Sequence, residues 1–256
     1  MELSMSYEQL KRQWLAEEQV AFSGWDFSHI KDRWKGEQLP WDYEQLVINT
    51  LKPDDQLLDM GTGGGEFLLS IHHNPQLCSV TEGYEPNVRL CKQRLEPLGM
   101  TVRKIEDYHH IPYPDHSFDL ILNRHEAYDI NEVYRILKPQ GTFITQQVGS
   151  KNDDDLIAKL DCEKEAVDIA TADLHHAMKY AKATSLTIEA GYEAFTPIEF
   201  YDVGALIYFA RIIEWEFKGF HVETKFKQLC ALYKELQIKG SIRGTEHRYL
   251  MIAKKD

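Results

Sequence analysis

Between residues 56 and 148, short apolar runs alternate with segments whose apolar residues have helical spacing. Runs of this length, rich in aliphatic residues and closed by glycine or charged turns, are typical of strands buried in a parallel sheet. They predict strands at 56–60, 77–83, 101–107, 118–124 and 141–148. The segments between them predict helices at 65–73, 86–99 and 132–137. This alternation predicts an α/β fold, with helices on both faces of a mostly parallel sheet.

The regions on either side of this core are dominated by helical patterns. We expect helices at 7–22 and 42–51, mostly helix at 153–190 closed by Gly191, a sixth strand at 192–200, a helix at 203–215 and a last strand at 247–255. The sheet would then have seven strands, the last of them antiparallel. We expect residues 1–40 to form an N-terminal helical cap or lid and residues 41–256 to form the main domain. Helical segments at 150–190 and 202–245 would contribute to the substrate side.

Composition narrows the classes of function. The chain has 41 acidic and 29 basic residues and a net charge of -12, so binding to nucleic acid would need a local basic patch. Its four cysteines are widely spaced and form no CxxC pair, which disfavours a zinc ribbon or a dithiol redox site. The N-terminus is polar, and no apolar run approaches the roughly 18 residues of a membrane span. We expect a cytoplasmic protein without membrane association, monomeric or homodimeric, that acts on a small molecule.

The most specific pattern is a glycine-rich turn after the first predicted strand of the core, Asp59-Met60-Gly61-Thr62-Gly63-Gly64-Gly65-Glu66. Glycines let backbone N–H groups approach a ligand, and α/β sheets bind ligands at the carboxyl ends of their strands. A phosphate-binding loop would close with Gly-Lys-Ser/Thr, and a dinucleotide loop would have glycine where Glu66 stands. A ligand that carries a cation in place of phosphates is favoured, because Asp59 suits an ammonium group. A glycine turn that binds nothing is the alternative.

Three further features follow in order along the chain. Glu82 ends the second predicted strand of the core 21 residues after Gly61, close to the spacing of an acid that binds ribose hydroxyls. Asp107 and Tyr108 follow the third strand and precede a loop with two prolines, IPYPDHSFD. The segment EVYRILKPQG then predicts a helix and a turn before the fifth strand.

From Gln56 to Ile144, these features together resemble the class I S-adenosylmethionine-dependent methyltransferases. The resemblance implies a Rossmann-like three-layer sandwich, S-adenosylmethionine as methyl donor, S-adenosylhomocysteine as product and no metal. Gln140 stands where the family usually has a second glycine, a departure that we expect to affect only the turn. The cofactor-binding residues that the resemblance implies are Asp59, Gly61, Thr62, Gly63, Glu82, Gly83, Asp107, Tyr108 and Asn123.

The residues that would act on the substrate are less clearly marked. Methyl transfer from a sulfonium needs an oriented nucleophile and exclusion of water, and needs a base only when the nucleophile must lose a proton. His125 is a candidate general base because histidine titrates near neutrality, although it would serve equally as a packing residue. Arg124 is a candidate ligand for a substrate carboxylate. On the substrate side we expect Trp25, His29, Tyr128 and Tyr201.

Three functions remain open from the sequence. The first is methylation of a small molecule at nitrogen, oxygen or carbon. The second is methylation of tRNA or rRNA, for which distant lysines and arginines would have to form a basic stripe. The third is a regulatory module that binds S-adenosylmethionine without catalysis. A nicotinamide-dependent oxidoreductase is less favoured, because Glu66 replaces the third glycine of its loop.

Overall fold

The structure is a computed structural model and describes residues 6–21 and 27–256, so the predicted substrate-side residue Trp25 lies outside the described residues. The helices are α1 (Tyr7–Glu18), α2 (Tyr43–Thr50), α3 (Glu66–Ser70), α4 (Glu85–Arg94), α5 (Ile130–Ile136), α6 (Asp154–Leu160), α7 (Leu174–Ala183), α8 (Val203–Ile212) and α9 (Val222–Lys239). The strands are β1 (Trp34–Gly36), β2 (Leu57–Met60), β3 (Cys78–Glu82), β4 (Thr101–Lys104), β5 (Phe118–Arg124), β6 (Leu137–Val148), β7 (Leu186–Phe200) and β8 (Ile242–Lys255).

The strands of the described residues follow the order β1-β7-β8-β6-β5-β2-β3-β4. Strands β6, β5, β2, β3 and β4 are parallel, whereas β8 is antiparallel to β6 and β1 is antiparallel to β7. The predicted Rossmann-like sheet, mostly parallel with a reversed last strand, is therefore confirmed. The predicted count of seven strands is one too low. The additional strand, β1, is only three residues long and has no apolar alternation that the sequence pattern could reveal.

The prediction of helix over residues 186–190 is wrong. Helix α7 ends at Ala183, β7 begins at Leu186, and Gly191 lies inside this strand instead of ending a helix. Leu186 and Ile188 alternate with polar residues, which is the period of a strand. The predicted helical region from 153 is also interrupted, because α6 ends at Leu160 and only one short 3-10 turn, Ile169–Thr171, precedes α7.

Contacts group the chain into two compact units. The first comprises Met1–Leu39, Lys151–Val167 and Phe195–His247, and the second comprises Pro40–Ser150, Asp168–Ala194 and Arg248–Asp256. Helices α6, α8 and α9 thus belong to the same unit as α1. The division into a cap at 1–40 and a domain at 41–256 stays a prediction.

In the second unit the sheet has an apolar core on each face. Leu57 packs with residues of α2, α3 and α4, while its neighbour Leu58 packs with residues of α5 and α7. Successive strand residues point to opposite faces of the sheet. Because helices cover each face, Leu57 and Leu58 are both fully buried. Because apolar contacts hold β2 from both sides, the position of the glycine turn that follows it is fixed.

The first unit is built around α8, whose residues are buried except for Arg211. Arg33 joins α1 to this helix, because its Nη2 atom lies 2.8 Å from Glu17 Oε1 and 2.7 Å from Asp202 Oδ1. Asp202 also caps α8 by accepting a hydrogen bond from the Ala205 backbone. Among the described residues, no helix has both the length and the apolar character needed to cross a membrane.

Candidate active site

The glycine turn leaves β2 at its carboxyl end and leads into α3. Gly61 and Gly63 have φ angles of 65° and 63°, a left-handed conformation that side chains disfavour. Gly61 is also enclosed, since a Cβ atom on it would lie 2.4 Å from Cγ of Glu126. The Gly61 backbone N–H donates to the Thr81 carbonyl at 3.0 Å, which ties the start of the turn to the end of β3.

Glu82, the last residue of β3, lies against this turn. Its side chain is 5% exposed and accepts hydrogen bonds from the backbone N–H groups of Gly63 and Tyr84, each at 2.9 Å. The structure therefore brings together three residues that the sequence predicts to bind cofactor: Gly61, Gly63 and Glu82. Gly83, the next residue in the chain, is exposed.

Asp59 is buried beneath the turn, with 4% of its surface exposed. It accepts a hydrogen bond from the Thr62 hydroxyl at 2.6 Å. Burial and the nearby negative charge of Glu82 raise the pKa of Asp59 to about 6, against the opposing effects of the Thr62 hydrogen bond and the Arg124 charge. A buried carboxyl group with this pKa favours a cationic partner.

Helix α4 contacts the turn through two residues that sequence reasoning missed. The Cys91 thiol donates to the Gly63 carbonyl at 3.0 Å, and Arg94 donates to the Gly64 carbonyl at 2.8 Å and pairs with Glu66. Their spacing of three residues places both on one face of α4, a pattern visible in the sequence only once the helix is known to pack on the turn.

Glu126 is a third residue that sequence reasoning did not assign to the site. It follows β5 and covers Gly61, with its carboxylate Oε2 atom 2.7 Å from the position of a Cβ atom there. Burial and the charge of Glu82 raise the pKa of Glu126. Gln147 donates to its backbone carbonyl at 3.0 Å, which fixes the segment after β5 against β6. The carboxyl groups of Asp59, Glu82 and Glu126 therefore lie around the part of the turn that contains Gly61 and Gly63, and that of Glu66 lies at its end, paired with Arg94.

Asn123 is fully buried next to the end of β2, opposite Met60 in the parallel register. Its side-chain oxygen accepts hydrogen bonds from Gln147 and, at 3.3 Å, from Thr145. These bonds connect β5 to β6, so the Asn123 side chain holds the strand ends together. Its role toward the cofactor stays a prediction.

The two candidate catalytic residues, Arg124 and His125, follow Asn123 directly in the chain. The guanidinium carbon of Arg124 lies 4.9 Å from the centre of the Phe67 ring and 5.7 Å from that of Tyr43. The His125 ring lies 3.3 Å from the Gln146 amide, and Gln146 in turn accepts a hydrogen bond from Trp41 at 2.8 Å. Surrounding protein atoms and the charges of Arg248 and Arg124 lower the pKa of His125, so its ring is neutral at pH 7. A base role for His125 stays a prediction.

Tyr108 and Tyr128, predicted on the cofactor and substrate sides respectively, line one cavity of about 160 Å³ in the second unit. The His109 Nδ1 atom lies 2.9 Å from Asp129, and both residues also line this cavity. Asp107 is exposed and accepts a hydrogen bond from the His109 backbone at 2.8 Å. The other lining residues are Ile130, Asn131, Asp168, Ala170, Thr171, Ala177 and Tyr180.

The remaining predicted substrate-side residues belong to the first unit. His29 lies 2.8 Å from Glu17, and Tyr201 is 42% exposed. Their role toward a substrate stays a prediction. Within the described residues, no group of three or more His, Cys, Asp or Glu side chains is arranged to hold a metal ion.

Comparison with known proteins agrees with this geometry. Residues 58–145, which contain the glycine turn, Glu82 and Glu126, match the family model of a methyltransferase domain. No curated protein matches the chain.

Several solved structures share the fold. The YcgJ protein from Bacillus subtilis is 19% identical, with a TM-score of 0.55, covering 83% of this chain and 97% of its own. A protein of unknown function from Deinococcus radiodurans R1 is 12% identical, with a TM-score of 0.54, covering 98% of this chain and 99% of its own. A putative methyltransferase from Bacillus halodurans C-125 is 15% identical, with a TM-score of 0.54, covering 82% of this chain and 96% of its own. At these identities the likeness concerns the fold alone.

Proposed function

We propose that this chain, whose residues 58–145 match the family model of a methyltransferase domain, transfers the methyl group of S-adenosylmethionine to a nitrogen or oxygen atom of a small molecule. The observation that carries the proposal is the buried Glu82 carboxylate, bonded to the Gly63 backbone N–H at the glycine turn. Each carboxylate oxygen can accept more than one hydrogen bond, so Glu82 retains capacity for two ribose hydroxyls. A phosphate at the same turn would be repelled.

The charges around the turn fit this cofactor. S-adenosylmethionine carries a sulfonium and an ammonium group, and Asp59, Glu82 and Glu126 all lie around Gly61 and Gly63. In the proposed arrangement, Asp59 and the turn hold the methionine portion. Glu82 holds the ribose, and the segment with Asp107 and Tyr108 holds the adenine. When bound, the cofactor supplies an activated methyl group.

The protein's own contribution would be orientation and exclusion of water. His125 is neutral at pH 7, and its lowered pKa makes it a weak proton acceptor. The proposed reaction therefore relies on a nucleophile that reacts as a neutral amine or an acidic hydroxyl, without a strong base. Asn123 and Gln147 would keep the segment after β5 in place while the acceptor binds.

A small acceptor is favoured over nucleic acid. Asp129 and Asp168 contribute negative charge to the wall of the cavity that Tyr108 and Tyr128 line. The chain as a whole carries a formal charge of -12. Both features disfavour a phosphate backbone and are compatible with a neutral or cationic small molecule.

Isothermal titration with S-adenosylmethionine tests the cofactor assignment. The wild-type protein should bind, and Glu82→Gln should weaken binding by at least about tenfold, because a hydrogen bond to a charged group is lost. Glu85→Gln is the matched control: Glu85 is an exposed neighbour that pairs with Lys104 at 2.8 Å, and its loss should leave the affinity unchanged. Absence of binding at millimolar ligand would reject the proposed function.

Labelled S-adenosylmethionine then identifies the acceptor class. Incubation with separated extract fractions should transfer label to the small-molecule fraction and leave RNA and protein fractions unlabelled. Label in RNA would favour the tRNA or rRNA alternative. Tight cofactor binding without transfer to any fraction would favour the regulatory module.

A further inference from the structure

The His125 side chain is held by a chain of hydrogen bonds that begins at Trp41. The Trp41 indole N–H donates to the Oε1 atom of Gln146 at 2.8 Å. The Nε2 atom of Gln146 in turn lies 3.3 Å from the Nε2 atom of His125. All three residues belong to the second unit, and His125 directly follows β5, at the end of the sheet where α/β folds bind ligands.

This chain determines which nitrogen of the His125 ring carries the proton. An indole N–H is only a donor, so the side-chain oxygen of Gln146 must face Trp41 and its NH2 group must face His125. An amide NH2 group is also only a donor, so the Nε2 atom of His125 must be the hydrogen-bond acceptor. The ring is therefore neutral, with its proton on Nδ1.

The backbone of His125 is fixed by the same neighbour. Its N–H donates to the Gln146 carbonyl at 2.9 Å, and its φ angle is 62°, a left-handed conformation that is uncommon for residues with a side chain. Backbone strain of this kind persists where surrounding contacts enforce it, and it is frequent at functional sites. Gln146 thus sets both the position and the orientation of a ring that stays exposed to solvent.

The surroundings of the ring favour a ligand group with negative charge. Nearby protein atoms, followed by the charges of Arg248 and Arg124, lower the pKa of His125 to about 3. Within the described part of the chain, no group accepts a hydrogen bond from its Nδ1 atom. An N–H donor near two cations suits an oxygen that carries partial or full negative charge, as in a carbonyl or carboxylate group.

We propose that Trp41 and Gln146 hold His125 in its Nδ1–H form, and that this N–H donates to a carbonyl or carboxylate oxygen of the methyl acceptor. The assignment rests on the proposed function and names the class of its acceptor. In the transfer, a lone pair of the acceptor's nitrogen or oxygen forms the bond to the methyl carbon, and the carbon–sulfur electron pair returns to sulfur. The proton of the nucleophile goes to water, because Gln146 occupies the His125 Nε2 lone pair. His125 orients the methyl acceptor, and Trp41 and Gln146 are positioning residues.

Nitrogen-15 NMR of the ligand-free, histidine-labelled protein tests where the proton lies. At pH 7 the Nδ1 atom of His125 should be protonated and its Nε2 atom unprotonated. Loss of this signal in His125→Asn identifies it among the 11 histidines. Gln146→Glu places a hydrogen-bond acceptor beside Nε2 and should move the proton there. Gln45→Glu is the matched control: it adds the same charge at an exposed position of α2, where Gln45 bonds to Asn49, and should leave the signal unchanged.

Two substitutions of nearly identical shape distinguish a donor from a base. Asparagine and aspartate both tolerate a positive φ angle, but asparagine has an N–H donor and no basic atom, whereas ionised aspartate has only hydrogen-bond acceptors. The probes are labelled S-adenosylmethionine and the small-molecule fraction of an extract. The transfer rate of His125→Asp should be at least about tenfold below that of His125→Asn. Mass spectrometry should find a carbonyl or carboxylate oxygen in the labelled product of the wild-type protein.

The outcomes separate this assignment from the proposed function. A wild-type ring that is protonated on Nε2, or on both nitrogens at pH 7, would overturn the donor assignment and leave methyl transfer standing. A transfer rate of His125→Asp that equals or exceeds that of His125→Asn would also overturn it. A labelled product without a carbonyl or carboxylate oxygen would refute the acceptor class. If the wild-type protein binds no S-adenosylmethionine, the proposed function is rejected, and the role of His125 toward a methyl acceptor with it.

Discussion

Asp59 links cofactor binding to pH at the scale of a single residue. Its carboxyl group is buried beneath the glycine turn, and its pKa is raised to about 6. A bound cation favours the ionised carboxylate, so cofactor binding lowers the pKa of Asp59. At acidic pH the Asp59 carboxyl of the free protein is protonated and must lose this proton before the cofactor binds. Affinity for S-adenosylmethionine should therefore fall as the pH drops below about 6, by up to about tenfold per pH unit.

Titration calorimetry between pH 5 and pH 7.5 measures this dependence. Wild-type affinity should be constant above about pH 6.5 and decline below about pH 6, with proton release on binding in the acidic range. Asp59→Asn should bind more weakly at neutral pH, with an affinity that changes little over the same range. A wild-type affinity that stays constant down to pH 5 would contradict the raised pKa.

The same group should affect the stability of the ligand-free protein. The pKa of Asp59 is raised from 3.8 to about 6 in the folded state, so folding favours its protonated form. Its contribution to stability is therefore lost as pH rises through this interval, by a total on the order of 3 kcal/mol. As the pH rises from about 4 to about 6, urea unfolding should show the free energy of unfolding of Asp59→Asn increasing relative to that of the wild type. A difference between the two proteins that stays constant over this range would refute the prediction.

Glu126 presents a conflict between stability and function. Its carboxyl group is partly buried beside Gly61, where burial and the Glu82 charge raise its pKa. Glu126→Gln should remove this repulsion and raise Tm by about 2–4 °C, if the gain is about 1 kcal/mol. It should also weaken S-adenosylmethionine binding, because one carboxylate facing the cation is lost.

Glu66→Gln is the control for Glu126. Although burial acts the other way, the hydrogen bond and charge of Arg94 lower the pKa of Glu66, so its ionised form is favoured in the folded state. Its replacement should not raise Tm. If thermal unfolding shows the same Tm increase for both variants, the explanation by carboxylate repulsion around Gly61 is wrong.

At the scale of elements, the glycine turn combines backbone conformation with close packing. A Cβ atom on Gly61 would meet Glu126 at 2.4 Å and would sit on a residue with a φ angle of 65°. Gly61→Ala should therefore displace the turn and reduce affinity for S-adenosylmethionine by more than about 100-fold, a loss near 3 kcal/mol. Circular dichroism should still show the folded α/β protein.

Gly240→Ala separates the packing effect from backbone strain. Gly240 ends α9 with a φ angle of 80°, and nothing lies within 4 Å of a Cβ atom there. This variant should lose about 1 kcal/mol of stability through strain alone and bind the cofactor as the wild type does. Equal loss of cofactor affinity in both variants would show that the Gly61 effect is unspecific.

The central elements could be predicted from the sequence because their patterns are local. Strand β5 agrees with the predicted 118–124, and β2, Asp59 and Glu82 follow from one apolar run, one turn and one spacing. Residues 186–190 contain a short strand pattern, in which Leu186 and Ile188 alternate with polar residues, but the Gly191 that follows is typical of a helix end and favoured the wrong prediction. Cys91, Arg94 and Glu126 could not be predicted as site residues, because their contacts with the turn depend on how α4 and the segment after β5 pack.

At the scale of the whole molecule, the site residues and the two compact units allow a test of where the cofactor binds. Asp59, Glu82, Glu126 and Arg124 all belong to the second unit. A ligand that binds only folded protein stabilises it by about 2.7 kcal/mol at a concentration 100 times its Kd. S-adenosylhomocysteine, the expected product, should therefore raise the unfolding temperature of that unit directly.

Hydrogen exchange with mass spectrometry resolves this effect along the chain. With S-adenosylhomocysteine, protection should increase in β2, the glycine turn, the end of β3 and the segment after β5, because their backbone groups open less often when the ligand is bound. Glu82→Gln at the same ligand concentration should lose most of this protection, whereas Glu85→Gln should retain it. Protection confined to Met1–Leu39 and α8 would contradict the site, because those residues belong to the first unit and contain none of the carboxylates around Gly61.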